Sequence, residues 1–291
     1  MSKIKIIIDS AATLTEELIK KNNLGVVNLK INWEEENIKE TLNGQDLFKK
    51  MQETTSNTGP KTSQPSVGDF KKAFDSAFEE GYEEIICAVM STGMSGTYNS
   101  AVQALKFLSK EKQEKISIID TFSADAGEGL IILKIAELLS KNITRKEIVS
   151  KIEIFKKKVF IFGFMQDPKW IERNGRLSKT GASLIRQAEK IGIRPLLTLK
   201  KGKVAVTALK FKAKDKIESL LKEVKDNIKE EKAVLTITHA NILEEAEDFK
   251  KRIEKDCPNV KVLFVEKLSP IIGCHLGPES IICSYYIKEN D

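Results

Sequence analysis

Histidine and cysteine, the residues that most often build zinc sites, are scarce in this sequence. Among 291 residues there are two histidines and four cysteines. The cysteines show no C-x-x-C spacing, and His239 and His275 are far from the i, i+4 spacing of a helical metal site. We therefore expect neither a metal cofactor nor a disulfide framework. Buried, reduced thiols are expected at Cys87, Cys257, Cys274 and Cys283.

Long hydrophobic runs are also missing. The longest apolar helix candidate, residues 130–139, contains Lys134 and Glu137 and is far shorter than the roughly 20 apolar residues of a membrane span. Lys5 and Asp9 interrupt the first apolar residues, so no secretory leader is predicted. These features indicate a cytoplasmic protein without stable membrane insertion.

Motifs that bind nucleotides are absent from the sequence. No G-x-x-x-x-G-K-[ST] occurs, and Gly127-Glu128-Gly129 lacks the third glycine of a dinucleotide-binding loop. Aromatic residues are not interleaved with the basic residues as on a surface that stacks nucleobases. Nucleotide-dependent catalysis and a nucleic-acid partner are therefore disfavoured.

The positive charge of the chain is concentrated in one segment. The formal net charge is +6, and residues 169–216 hold 14 basic residues against 3 acidic ones. Such a segment is able to attract an anionic partner. A solvated basic face without a partner is the alternative interpretation.

Apolar strands that alternate with helices predict an α/β fold whose first sheet is mostly parallel and flanked by helices. Val27, Leu29 and Ile31 alternate as a further strand. Thr13 and Glu16 are expected to form a capping box at the first helix. Strands are expected at residues 5–9, 85–90, 116–119 and 159–163, the last of which completes this pattern.

From about residue 166 the pattern changes. Residues 193–199 and 204–209 flank Lys200-Lys201-Gly202-Lys203 and predict a hairpin, which brings antiparallel pairing into a second, mixed sheet with helices. We therefore predict two domains. These are an N-terminal α/β domain over residues 1–165, which carries the ligand loops, and a C-terminal α/β domain over residues 166–291 with a basic surface.

The segment Ser91-Thr92-Gly93-Met94-Ser95-Gly96-Thr97 joins a buried strand to a helix. Ligands of open parallel sheets bind at this edge. Unpaired amides at the helix start favour an anion, and the hydroxyls of Ser91, Ser95 and Thr97 add donors. A capped turn without a ligand is the alternative.

A second hydroxyl cluster, Thr62-Ser63-Gln64-Pro65-Ser66, precedes a helix that Ser66 is expected to cap. Thr62 and Ser63 have no obvious capping role and are better candidates for contacting a ligand. Pro65 restricts Gln64 to an extended conformation. A plain turn is equally consistent with this pattern.

Two further candidates carry charge or titrate. His275 lies in a Gly/Pro turn where its side chain can be aimed, and we favour it over His239, which ends a strand. Arg176 follows a short helix and is able to anchor a carboxylate. Neutralisation of that helix's C-terminus is the alternative role of the arginine.

A serine hydrolase is the rival function. Gly93-Met94-Ser95-Gly96 resembles part of a nucleophile elbow, with His275 as a possible base and Asp120 as its orienting carboxylate. However, Thr97 occupies the final glycine position of G-x-S-x-G. A serine esterase or lipid hydrolase that uses Ser95 is therefore kept as the alternative hypothesis for the function.

Five segments in the same order and spacing resemble the DegV family over nearly the whole chain. They are Asp9-Ser10 with Leu14, the two hydroxyl clusters, Asn174-Gly175-Arg176-Leu177-Ser178, and His275-Leu276-Gly277-Pro278. The resemblance implies two α/β domains with a long-chain fatty acid, such as palmitate, buried in a tunnel between them. It implies a binding protein that presents the acid to a separate fatty acid kinase for phospholipid synthesis, with no catalysis of its own.

The resemblance also assigns residues to the carboxylate. Thr62 and Ser95 are implied to hydrogen-bond it, with further contacts from Ser63, Gly96 or Thr97. His275 and Arg176 match family positions near this polar end. Two departures from the family pattern are Glu279, where the family has glycine and which we expect to face solvent, and Lys210, where members often carry arginine.

Overall fold

A computed structural model describes residues 3–33, 44–54, 59–177, 179–190, 196–206 and 216–289 of the chain. Its strands are β1 (Ile4–Asp9), β2 (Gly25–Val27), β3 (Lys30–Asn32), β4 (Lys61–Ser63), β5 (Glu84–Val89), β6 (Ile116–Asp120), β7 (Val159–Phe164), β8 (Leu197–Lys200), β9 (Lys203–Val206), β10 (Ala233–His239), β11 (Val260–Lys267) and β12 (Ile281–Ile287). Its helices are α1 (Glu16–Lys21), α2 (Gly44–Glu53), α3 (Val67–Glu79), α4 (Thr97–Leu105), α5 (Lys110–Glu114), α6 (Asp125–Ser140), α7 (Arg145–Phe155), α8 (Lys169–Arg173), α9 (Lys179–Lys190), α10 (Lys216–Ile228), α11 (Leu243–Asp256) and α12 (Pro270–Leu276).

The first sheet is parallel, in the order β2-β1-β5-β6. Its strands are apolar on both faces because helices cover both. Ile6 and Ile8 pack in one cluster with side chains of α6 and α7. Ile7 and Cys87 pack on the other face with side chains of α3 and α4. The predicted parallel sheet with helices on both sides is confirmed.

The second sheet is mixed, in the order β11-β10-β12-β7-β8-β9. Strands β10 and β11 are parallel, and the remaining pairs are antiparallel. The predicted mixed sheet and the hairpin of β8 and β9 are confirmed. Residues 193–195 and 207–209 of the predicted hairpin, like Lys210, lie outside the described residues.

One predicted strand belongs to the other sheet. Residues 159–163 were expected to complete the parallel sheet, but β7 pairs antiparallel with β12 from Val159 to Phe164, and this prediction is wrong. An apolar strand buried on both faces has the same sequence pattern in either sheet, which explains the error. The chain therefore passes from one sheet to the other between β6 and β7. The division into domains at residue 165 stays a prediction.

The strand expected around Val27, Leu29 and Ile31 is split into two. Strand β2 pairs with β1, but β3 leaves the sheet and forms a two-stranded antiparallel ribbon with β4, in which Ile31 faces Thr62. The backbone N–H of Leu29 donates to the Ser10 side chain at 2.9 Å instead of to a neighbouring strand. When a side chain accepts the backbone N–H that would otherwise bond to a neighbouring strand, the strand ends at that point.

The cap of the first helix is Thr15 and not Thr13. The Thr15 side chain accepts from the backbone N–H of Leu18 at 3.2 Å, an interaction that contributes about 1 kcal/mol in typical helices. The Thr13 hydroxyl is used elsewhere, because it donates to Asp125 at 2.6 Å. The predicted capping box is therefore wrong, and a contact distant in sequence is the reason.

Helix α6 packs between the two sheets and carries the polar connection between them. Asp125, its first residue, is buried and accepts hydrogen bonds from Thr13 at 2.6 Å and from Thr238 of β10 at 2.5 Å. Thr13 in turn accepts from the backbone N–H of Ser269 at 3.0 Å. One carboxyl group thus joins the loop after β1 to the second sheet.

None of the helices in the ranges given above is long and apolar enough to cross a lipid bilayer. The four cysteines are free thiols, and each is buried, as predicted. Burial raises the pKa of Cys87 and Cys283 well above the ordinary thiol value, so both are protonated at neutral pH. These thiols act as core side chains.

Glu128, one turn into α6, is a fully buried carboxyl group. Neither of its oxygens has a hydrogen-bond partner. Burial raises the pKa of Glu128 well above its ordinary value of 4.5, and the charges of Asp9, Asp125 and Asp120 raise it further. Glu128 is therefore protonated and neutral in the folded protein at neutral pH.

We expect Glu128→Gln to stabilise the protein increasingly as the pH rises. Above about pH 4.5 the unfolded chain releases the Glu128 proton while the folded protein retains it, so folding becomes less favourable by about 1.4 kcal/mol per pH unit. Glutamine removes this cost. Urea unfolding at about pH 5 and pH 8 should show a gain at the higher pH only.

Glu137→Gln on the same helix is the matched control. Glu137 is 40% exposed and lies 2.9 Å from Lys134 and 2.6 Å from Lys141 in ion pairs, so its replacement should bring no such gain. An equal effect of Glu128→Gln at both pH values would show that the carboxyl group is ionised in the folded protein.

Candidate ligand-binding site

The loop between β5 and α4 lies at the carboxyl edge of the parallel sheet. Asp9, at the end of β1, accepts from the backbone N–H groups of Ala11 at 2.7 Å and Met90 at 2.8 Å and so holds the start of this loop. Burial raises the pKa of Asp9 to about 6, against the opposing effect of these two hydrogen bonds. The backbone N–H of Ser91 donates to Ser123 at 2.8 Å and ties the loop to the segment after β6.

The β3–β4 ribbon brings the second hydroxyl cluster to the same place. The side chain of Thr62 on β4 lies 2.9 Å from Nε2 of His275 on α12. A cavity of about 210 Å³, the polar cavity, opens between the ribbon, the loop before α4 and α12. Six predicted site residues line it: Thr62, Ser63, Ser95, Gly96, Arg176 and His275.

The seventh predicted residue, Thr97, stands behind Ser95. Thr97 is fully buried, its hydroxyl lies 2.8 Å from the Ser95 hydroxyl, and its backbone N–H donates to Ser95 Oγ at 3.3 Å. These contacts orient the Ser95 side chain at the start of α4. Thr97 therefore contacts a residue that lines the polar cavity but does not line the cavity itself.

A second cavity, the apolar cavity, adjoins the first and has a volume of about 90 Å³. Met90, Met94, Arg176 and His275 line both cavities. Most other side chains around the apolar cavity are hydrophobic, and they come from strands β7, β8, β9 and β12 of the mixed sheet, from α8 and α12, and from the start of α6. Examples are Ala124, Ile161, Phe164, Leu197, Val204 and Ile282. Asp125 and Thr198 are the polar exceptions among them.

His275 is a neutral imidazole. Burial and the charge of Arg176 lower its pKa to about 3. Its Nδ1 atom is buried without a hydrogen-bond partner, so the tautomer with hydrogen on Nε2 is favoured, because a buried unpaired N–H is rarer than a buried unpaired acceptor. In this tautomer Nε2 donates to Thr62, and the Thr62 hydroxyl is left to donate to a ligand.

Arg176 places a positive charge where the two cavities meet. Its Nε donates to the carbonyl of Met94 at 3.1 Å, and its Nη1 donates to the carbonyl of Asn174 at 2.6 Å. Asn174 donates in turn to the carbonyl of Cys274 at 3.1 Å and so connects the end of α8 with α12. Arg176 is solvent-exposed, which lets its charge attract anions from outside.

His239 has a structural position. It is buried at the end of β10, and its Nδ1 accepts from the backbone N–H of Ile242 at 3.2 Å. Burial and the charge of Lys267 lower its pKa to about 4. It is not one of the residues that line the two cavities.

The described residues do not assemble a serine-hydrolase triad. Ser95 Oγ pairs with the Thr97 hydroxyl, whereas Nε2 of His275 pairs with Thr62. Asp120 accepts from the hydroxyl of Thr92 at 2.5 Å and from the backbone N–H of Phe122 at 2.9 Å, and it does not orient His275. The same part of the chain contains no cluster of histidine, cysteine, aspartate and glutamate able to hold a metal ion.

Sequence reasoning missed three parts of the site. Met90 and Met94 were not recognised as the wall shared by both cavities. Asp9 was placed at a strand end and in a segment of the family resemblance, but its hydrogen bonds to the backbone of the loop were not predicted. The β8–β9 turn was predicted, but not its position against the loop, where Ser91 Oγ donates to the carbonyl of Gly202 at 2.7 Å.

Glu279 is directed away from the polar cavity. Its carboxylate accepts from the side chain of Gln52 at 3.2 Å, and its backbone N–H donates to Ala240 at 2.8 Å. It adopts a φ of 60°, a conformation that glycine, the family's residue at this place, adopts at lower cost. Charge repulsion between Glu279 and an anion in the polar cavity is therefore not expected.

Comparison with protein families matches nearly the whole chain. A family model described as "Uncharacterised protein, DegV family" matches residues 3–288. A DegV domain-containing protein of Clostridium acetobutylicum is 27% identical over 283 residues, which is 96% of each chain. One of Staphylococcus aureus is 28% identical over 294 residues, 97% of this chain and 98% of that protein.

Solved structures share the fold. A fatty-acid-binding DegV family protein of Thermus thermophilus matches with a TM-score of 0.87 and 23% identity, covering 98% of this chain and all of the other (100%). DegV of Bacillus subtilis, a fatty acid binding protein, matches with a TM-score of 0.83 and 22% identity, covering 99% and 100%. The predicted α/β architecture with a parallel and a mixed sheet is that of these proteins.

We expect neither histidine to titrate between about pH 5 and pH 8 in the folded protein, because burial lowers the pKa of His275 to about 3 and that of His239 to about 4. Histidine-labelled protein gives two ring signals, whose ¹⁵N shifts report charge and tautomer. The signal of His275 should show hydrogen on Nε2.

Urea-unfolded protein is the control for this titration, and both histidines should then titrate near about pH 6.5. His239→Gln assigns the two signals. A midpoint for His275 between about pH 6 and pH 7 in the folded state would mean that the imidazole is charged beside Arg176 at mildly acidic pH, contrary to this description.

Proposed function

Because the chain belongs to the DegV family, we propose that it binds a long-chain fatty acid, with the carboxylate in the polar cavity and the acyl chain in the apolar cavity. The observation that carries this proposal is the junction of the two cavities at Met90, Met94, Arg176 and His275. A polar chamber joined to an apolar one matches a ligand with one charged end and a hydrocarbon tail.

The ligands of related proteins support this proposal. The DegV family proteins of Thermus thermophilus and Bacillus subtilis bind fatty acids, and a DegV family protein of Ruminococcus gnavus has been solved with vaccenic acid. A fatty-acid-binding protein of Eubacterium ventriosum with a similar fold binds stearic acid. Each of these acids has a long hydrocarbon chain and one carboxylate.

Neutral donors hold the carboxylate in this proposal. The hydroxyls of Thr62 and Ser95 donate to its oxygens, and Gly96 offers its backbone N–H at the start of α4, where the helix dipole favours a negative charge. His275 keeps the Thr62 proton directed to the ligand, and Ser63 lies beside it on the ribbon. Arg176 adds a positive charge at the exposed side of the polar cavity.

The hydrocarbon supplies most of the affinity. Each methylene that leaves water contributes roughly 0.8 kcal/mol. The apolar cavity, at about 90 Å³, is smaller than the roughly 300–1,000 Å³ of typical ligand pockets, so the side chains that line it must rearrange around a long chain. Met90 and Met94 suit this movement, because methionine side chains are flexible and fill irregular spaces.

We expect protein purified from a bacterial host to carry fatty acid, detectable by mass spectrometry of an extract. Thr62→Ala combined with Ser95→Ala should weaken fatty-acid affinity by about one hundredfold without unfolding the protein, since each removed donor to a charged group contributes roughly 1.5 kcal/mol. Competition with a fluorescent fatty acid measures the affinity.

Ser140→Ala combined with Ser150→Ala removes two exposed hydroxyls on α6 and α7 and is the control. This pair should bind as the wild type does. Undiminished binding by the Thr62 and Ser95 variant would refute those two assignments, and failure of the wild-type protein to bind any fatty acid would refute the proposed function.

We further propose that the bound acid is presented to a separate fatty acid kinase, as the family resemblance implies. A carboxylate held by hydroxyls and amides leaves an oxygen able to attack a phosphoryl donor. Two exposed basic residues of the segment 169–216 lie at this end of the molecule: Arg176 lines both cavities, and Lys203 approaches Gly93. They form a positive landing surface for an acidic partner.

Charge reversal tests the landing surface. Lys201→Glu with Lys203→Glu should weaken binding of a bacterial fatty acid kinase by at least about tenfold, and the loss should shrink at high salt. Lys151→Glu with Lys157→Glu, on exposed sites of α7 and the following 3₁₀ turn, is the control. If complex formation with the kinase were insensitive to salt, this surface would be excluded as the docking site. The proposal that the chain binds a fatty acid would not be affected by that result.

A further inference from the structure

Gln64 connects the two halves of the polar cavity. It follows β4, which carries Thr62 and Ser63, and its Nε2 donates to Ser100 of α4 at 2.9 Å. Ser100 is buried, and its backbone N–H donates to the carbonyl of Gly96 at 3.0 Å, one turn earlier in the chain. The Gln64 side chain thus connects the β3–β4 ribbon to α4, the helix that follows the loop containing Ser95.

The amide of Gln64 lies directly on Gly96. A Cβ atom at position 96 would stand 1.9 Å from Gln64 Oε1 and 2.7 Å from its Cδ, so a side chain there cannot coexist with the present position of the amide. Gly96 has φ −81° and ψ 7°, which other residues adopt without strain. A side chain at position 96 would therefore displace the Gln64 amide, whereas the backbone conformation there does not require glycine.

This contact matters because the two donor sets are on separate pieces of structure. The β3–β4 ribbon is a two-stranded sheet of its own, apart from the parallel sheet whose strand β5 leads to Ser95 and Gly96. The distance between the two donor sets therefore depends on side chains that link the ribbon to α4. Gln64 makes such a link and also lines the polar cavity.

We infer that Gln64 is a positioning residue that sets the separation of the two donor sets and thereby selects a carboxylate head group. The inference rests on the proposed function and refines it. A carboxylate has two oxygens and requires donors on two sides at a fixed spacing, whereas an uncharged alcohol has a single oxygen that one of the two donor sets can reach alone. Loss of this spacing should weaken binding of a fatty acid more than binding of an alcohol of equal chain length.

Head-group discrimination is the measurement that separates positioning from general stability. Delipidated full-length protein is titrated with palmitic acid and with hexadecanol by displacement of a fluorescent fatty acid. Gln64→Ala and Ser100→Ala should each lower the affinity for the acid by about tenfold and that for the alcohol by less than about twofold. An equal loss for both ligands would assign Gln64 a merely structural role and overturn the inference.

Gly96→Ala gives an independent test of the same contact. Alone, it should displace the Gln64 amide and reduce acid affinity as strongly as Gln64→Ala. In the Gln64→Ala background the added methyl has room, so the double variant should bind no more weakly than Gln64→Ala. Additive losses would mean that Gly96 and Gln64 act separately, contrary to the inference.

An isosteric variant covers the case in which Gln64→Ala does not fold. Gln64→Glu keeps the size but loses the Nε2 donor and places a negative charge beside Gly96, so it should abolish acid binding and retain alcohol binding. Gln103→Ala, an amide on α4 outside the polar cavity, should match the wild type for both ligands. Unfolding midpoints verify that each variant is folded.

The outcomes distinguish this inference from the proposed function. If the wild type binds palmitic acid and Gln64→Ala retains the acid-to-alcohol ratio, the inference is wrong and the proposed function stands. If the wild type binds neither ligand, the proposed function fails, and the inference fails with it.

Discussion

The position of α6 between the two sheets constrains the rest of the molecule. Asp125 accepts buried hydrogen bonds from Thr13 on one side and from Thr238 on the other. Sliding one sheet against the other would leave these groups unpaired away from water, at a cost of about 1–3 kcal/mol for each. The edge of the parallel sheet and the apolar side chains of the mixed sheet are therefore held at a fixed separation.

This separation explains why a polar and an apolar cavity adjoin. The loop after β5 brings hydroxyls and amides to the gap, while β7, β8 and β12 bring hydrocarbon. Burying an anion is costly unless donors reach its oxygens. Neutral donors dominate here, because His275 is uncharged and Arg176 lies at the exposed side. The arrangement therefore places polar donors beside a hydrocarbon-lined space.

Several features of this site follow from patterns within short stretches of chain. The apolar runs of β1 and β5 predicted a parallel sheet, because strands covered on both faces have no polar alternation. The Gly/Ser segment before α4 predicted an anion site, because helix starts present free amides. The resemblance to a family added the grouping of Thr62, Ser95 and His275, which no local pattern contains.

The errors lie where distant contacts override local preference. Thr13 has the sequence context of a helix cap, yet its hydroxyl binds Asp125, 112 positions away. Strand β7 has the composition of a parallel strand and pairs antiparallel instead.

The amino-acid order therefore determined the elements, the buried faces and the chemistry of each loop, since these depend on hydrogen bonding and burial among near neighbours. Tertiary packing alone decided which loops meet. The hydrogen bond between Thr62 and His275 joins residues 213 positions apart, and both cavities are lined by segments that are far apart in the chain. Such contacts depend on how whole faces fit together, which periodicity within one segment does not encode.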